Sequence, residues 1–134
     1  MELLTAAKNE YLLNAPLESL HAESVNWLKE ISFWADEMSF FYKLLHHNKL
    51  SGHFPTKQLA AADKQLVNLN SIMLNNLKVG VESHERLLMS SLKTFSTVDE
   101  QVYREAHGRL AGEIQVLDNE IRRFKQVVFS LFER

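Results

Sequence analysis

The 134-residue chain contains no cysteine, only two prolines and only four glycines. Without cysteine there is no disulfide, no thiolate metal site and no thiol nucleophile. So few prolines and glycines argue against the many tight turns of a sheet protein and favour long, uninterrupted helices. Long hydrophobic runs are missing too. Nothing approaches the roughly eighteen apolar residues of a membrane span, and MELLTAAKNEYLLNAP at the start has no basic stretch ahead of its apolar residues. Charge of one sign is also absent. Fifteen basic and 17 acidic residues give a net −2, without the basic excess that nucleic acid or an anionic membrane would require. The expectation is a soluble cytoplasmic protein with neither nucleic acid nor membrane as a partner. No G-x-x-x-x-G-K, G-x-G-x-x-G, H-E-x-x-H or G-x-S-x-G word occurs, so no enzymatic activity is expected.

What is present is apolar periodicity. Apolar residues make up 46% of the chain, which is ordinary for a folded domain. Residues 1–14 read as a short amphipathic segment with Leu4, Ala7 and Tyr11 in phase. Residues 15–134 read as one domain of three long helices, at about 16–50, 56–94 and 98–132. The first helix carries Leu20, Ser24, Trp27, Ile31, Trp34, Met38, Phe41 and Leu45 at alternating spacings of four and three, a coiled-coil-like seam. The second places Leu59, Leu66, Leu69, Met73, Leu77, Gly80, His84, Leu88, Ser91 and Phe95 in line. The third does the same with Tyr103, Leu110, Ile114, Leu117, Ile121, Phe124, Val128 and Leu131. Pro16 suits a first helical turn, and Gly52 and Pro55 fit the first connection. Thr97 and Glu100 have the spacing of a capping box. On the outer face of the third helix, Glu100/Arg104, Glu105/Arg109 and Asp118/Arg122 are spaced for ion pairs.

Short connections between long helices make antiparallel neighbours. The fold expected is therefore all-α, an antiparallel up-down-up bundle, with a four-helix or larger core on dimerisation. In this register Ala60 to Ala62 lie level with Phe41 to Leu45, small residues against large, and Gly80 lies close enough to Trp27 to make room for its indole.

Aligning the helix ends places His21, His84 and His107 at one height, one from each helix. Three imidazoles could hold zinc, iron or manganese with an open position. The second carboxylate set of a di-iron bundle is missing, however, and so are the His-x-x-x-Glu and His-x-x-x-His pairs of hemerythrin-like proteins. The favoured expectation is no cofactor, with His84 a neutral core residue bonded to a local partner, Ser24 or Tyr103. NWLKE at 26–30 and SHERLL at 83–88 resemble the first and second helices of spectrin-type repeats. That resemblance implies a structural or interaction module with His84 as a polar core position.

Other charged or ring-bearing groups read as solvated: His46, His47 and His53 around the first turn, and Glu30 and Glu37 beside the seam. Gly108 and Gly112 form a G-x-x-x-G word on an outer face. The first helix has a second apolar face, with Phe33, Phe40 and Leu44 opposite the seam and Tyr42 on its flank. A helix needs one apolar stripe for its own core, so large aromatics on another face imply a further contact. The expected function is that of a non-enzymatic interaction or scaffold protein, acting through a homodimer or a helical protein partner.

Overall fold

The computed structural model describes residues 16–51, 56–91 and 97–132, and among them every regular element is helical. Helix α1 is Leu17–Ser51. A second helical run consists of α2 (Thr56–Val67), a π-helical segment (Asn68–Leu74) and α3 (Asn75–Ser91). Helix α4 is Thr97–Phe132. The amphipathic segment 1–14, His53, Phe95 and the first connection lie outside the described residues.

Local chemistry sets the helix starts. The Pro16 carbonyl accepts the Ser19 and Leu20 amides at 3.0 and 3.3 Å, which occupies donors that a first turn leaves open. Glu18 stands in the first turn of α1 and Asp99 and Glu100 in that of α4, where negative charge meets the positive end of the helix dipole. Along α4 the Glu100 carboxylate accepts from Arg104 at 2.8 Å and Asp118 from Arg122 at 3.3 Å.

All eight seam residues of α1 are buried, and so is the complete expected stripe of α4, joined by His107. The second run departs from expectation in one place. Its buried residues are Leu59, Ala62, Leu66, Leu69, Leu74, Leu77, Val81, His84 and Leu88. Leu74 and Val81 occupy the places that simple periodicity gives to Met73 and Gly80, which are only half buried. The cause is the π segment. Leu69 and Leu74 lie five residues apart, and the wider π turn brings both onto the core face. Beyond it Leu77, His84 and Leu88 stay in the core as expected, and Val81 takes the place of Gly80.

The apolar core divides into two clusters. The larger runs from Trp27 to Leu45 on α1, Leu59 to Val81 on the second run and Leu110 to Leu131 on α4. Ala62 lies in it with Phe41 and Leu45, small against large. The smaller cluster is Leu20, Leu88 and Tyr103, with Leu17 packed on its side. Between the two lies a polar layer. Gly80 does not face the indole: a Cβ there would meet Leu110 Cδ2 at 3.5 Å.

Candidate functional site

The polar layer is where chemistry-bearing side chains converge. Helix α1 contributes His21, Glu23, Ser24 and Trp27; α3 contributes His84 and Glu85; α4 contributes Tyr103 and His107. His84 belongs to the stripe of α3 and His107 to that of α4, so helical periodicity turns both inward, leaving them 5% and 1% exposed. Buried imidazoles need partners, and here they find each other. His84 Nε2 and His107 Nδ1 are 3.1 Å apart. His107 Nε2 is 3.1 Å from Glu23 Oε1.

The direction of these bonds follows from neutral imidazoles, each with one N–H. A carboxylate only accepts, so His107 Nε2 donates to Glu23. His107 Nδ1 then carries a lone pair and accepts from His84 Nε2–H. That leaves His84 Nδ1 as a lone pair, and it is buried with no hydrogen-bond partner.

A second chain of contacts runs beside the first. The Tyr103 hydroxyl donates to Glu85 Oε1 at 3.5 Å, and the other Glu85 oxygen pairs with His21 Nδ1. Aromatic faces close the layer. The Tyr103 ring stacks on His84 with centroids 4.0 Å apart and planes 6° from parallel, and Trp27 stacks on His107 at 4.5 Å. Ser24 is fully buried, and its hydroxyl donates to the Leu20 carbonyl at 3.2 Å.

The layer's electrostatics favour neutral rings. Burial, the neighbouring His107 and then Arg109 lower the pKa of His84 to about 4. Burial also lowers that of His107, although Glu23 pulls it back. Tyr103 is raised above the ordinary phenol value by burial and then by the Glu85 carboxylate, so it keeps its proton.

The three histidines named from the sequence therefore have different fates. His84 and His107 are brought together as a hydrogen-bonded pair. His21 is turned to Glu85 and is half exposed. Among the described residues no group of three or more His, Asp or Glu is placed to hold a metal ion. Of the two partners expected for His84, Tyr103 supplies a ring face, Ser24 bonds to backbone, and the direct hydrogen bond of His84 goes to His107. Glu23 and Glu85 escape a reading by stripes, since each stands one residue off its helix's buried line, beside Ser24 and His84. Their signal was chemical: carboxylates flanking a buried polar level are its natural acceptors.

A different surface lies along α1 and α4. Phe33 and Phe40 are each 60% exposed, and Phe129 of α4 is also exposed. The rings of Phe40 and Phe129 both pack edge-on against the buried Phe41, at 5.4 and 5.9 Å. Glu37, between Phe33 and Phe40 on the same stripe, is bound by Lys125 at 2.5 Å. Leu44 is half buried and packs against the main core, so it is at most the edge of this surface. Tyr42 is exposed and stacks on His46; Glu30 and His47 are exposed.

Among the described residues, surface cavities lie elsewhere. One of about 310 Å³ borders the π segment at Tyr42, Asn70 and Ser71. Another of about 670 Å³ lies between the second run and α4, at Leu77, Gly112 and Val116. Neither includes a residue of the polar layer. No helix among the described residues is long and apolar enough to cross a membrane. Compared with protein-family models, curated proteins and solved structures, the chain matches none.

Proposed function

We propose that the protein is a helix-based interaction module, an antiparallel up-down-up bundle that pairs with a second copy of itself through the exposed aromatic face of α1 and α4. The observation that carries this reading is the pair Phe33 and Phe40, one heptad apart, each 60% exposed beside a fully occupied core seam. Phe129 extends the same apolar surface from the neighbouring helix. Contiguous exposed aromatics of this kind are the usual anchors of protein contacts. The bundle arrangement is supported by cross-helix pairs: Phe41 with Phe124, Glu37 with Lys125 and His84 with His107. Glu37 and Lys125 on this face are paired with each other within the chain, so a two-fold contact, which opposes a patch to itself, brings no lone charge against its own copy.

The test is the mass in solution, by light scattering after size exclusion, of the parent and of a Phe33→Glu, Phe40→Glu variant. The parent should run at twice the 15.5 kDa chain mass. Each phenylalanine contributes about 1–2 kcal/mol on burial, so the double variant should be monomeric at micromolar concentration and still folded. A parent that stays monomeric, or a double variant with unchanged mass, overturns self-association through this face.

A further inference from the structure

The two buried histidines have an unusual proton economy. In the neutral pair the Nδ1 lone pair of His84 is the buried polar atom of the chain Glu23–His107–His84 without a partner. Any proton that the pair takes up ends on that atom. If His84 itself is protonated, Nδ1 becomes an N–H. If His107 is protonated, both its nitrogens donate, His84 Nε2 must accept, and the His84 hydrogen moves to Nδ1. Either way a buried N–H appears with no acceptor, and a buried cation appears with it. Both are costly in an apolar interior.

The carboxylates facing the pair, Glu23 and Glu85, favour a charged His107 but do not offset its burial. From α1, Glu23 already accepts from His107, and His21 is engaged with Glu85. From α3, Glu85 serves His21 and Tyr103. From α4, Tyr103 is a neutral phenol, Arg104 and Arg109 add positive charge, and Arg104 is held by Glu100. The local architecture decides what yields. Beyond the layer the helices are held by Leu20, Leu88 and Tyr103, with Leu17 alongside, whereas the main core lies entirely on the other side.

We propose that this layer is a proton-operated latch: mild acidification charges the His84–His107 pair and parts the helix ends around Leu20, Leu88 and Tyr103, while the main core stays closed. Opening returns both imidazoles to water, where they accept protons that the closed layer refuses. The low proton affinity of the closed layer gives the scale. With His84 near pKa 4 closed and 6.5 open, the open form gains about twenty-fold at pH 5 over pH 7 from this residue alone. His107 acts in the same direction.

The experiment is amide hydrogen exchange on the full chain at pH 7 and pH 5, with rates corrected for the intrinsic pH dependence. Amides of residues 18–24, 84–89 and 101–107 should lose protection by about twenty-fold or more. Those around Phe41, Leu66 and Ile121 open only with the whole chain, which also frees the pair, so they should stay better protected than the layer at both pH values. In a His84→Gln variant the side-chain amide can still donate to His107 but cannot titrate, so the loss should shrink several-fold. A layer as well protected as the main core at both pH values, or one that loses no protection at pH 5, overturns the latch. So does a His84→Gln protein with the parent's pH response. Should that variant not fold, imidazole titration of the parent by NMR decides: a His84 midpoint at 6 or above refutes the proposal, and one below about 5 supports it.

Discussion

The π segment offers the sharpest test of how this sequence sets its core. Leu69 and Leu74 are both buried although five residues apart, whereas later core positions on the same run, Leu77, Val81, His84 and Leu88, keep spacings of four and three. At about 100° per residue, a five-residue step in an α-helix overshoots the core face by about 140°. The π turn absorbs that extra residue, with the poorer backbone geometry that makes π-helices rare. Deleting the exposed Ser71 should restore a four-residue step and let the run continue as α-helix with Leu74, Leu77, Val81, His84 and Leu88 all in place. The expected change in stability is within about 1 kcal/mol of zero, since a poor turn is exchanged for a regular one. Deleting the exposed Val116 from the unbroken α4 has no such outlet. It swings Leu117, Ile121, Phe124 and Val128 about 100° off the core. At about 1.5–3 kcal/mol for each buried side chain, that loss is of order 6–12 kcal/mol, as large as the whole stability of a typical domain. Urea unfolding followed by helical circular dichroism measures both. A Ser71 deletion that unfolds the protein as completely as the Val116 deletion would refute the reasoning, because the π segment would then be needed for something other than one surplus residue.

Two further outcomes follow from particular residues. Global stability should fall as the pH drops from about 6.5 to 4: the unfolded chain binds a proton at His84 in that window and the folded chain does not. The loss from His84 is about 3 kcal/mol by pH 4 and levels off below it; urea midpoints at pH 7 and pH 4 that agree would contradict this. Gly80→Ala and Gly112→Ala should each stabilise by about 0.5–1 kcal/mol through helix propensity. An added Cβ meets only an ordinary contact with Leu110 at the first and nothing within 4 Å at the second. Thermal denaturation would register each as a rise in Tm, and a fall at either site would show that the glycine is needed for close packing.

The sequence by itself determined the helices and nearly all of the inward faces. Few helix breakers and a strong apolar period leave no other regular structure able to bury Trp27, Trp34 or Phe124. The seam of α1 and the stripe of α4 were legible residue by residue, because an uninterrupted helix carries its periodicity from end to end. The meeting of His84 with His107 was half legible: the common height followed from helix lengths, but which nitrogen bonds which group depends on side-chain positions in three helices at once. Tertiary structure alone decided that Leu74 and Val81, not Met73 and Gly80, enter the core. A π turn costs local backbone geometry and returns packing elsewhere, so its presence is set by the partners waiting across the interface. Tertiary structure likewise gave Glu23 and Glu85 their roles. A carboxylate one residue off the buried stripe looks solvated in sequence, and only the neighbouring helix, by presenting a buried imidazole at hydrogen-bond distance, turns it into an acceptor.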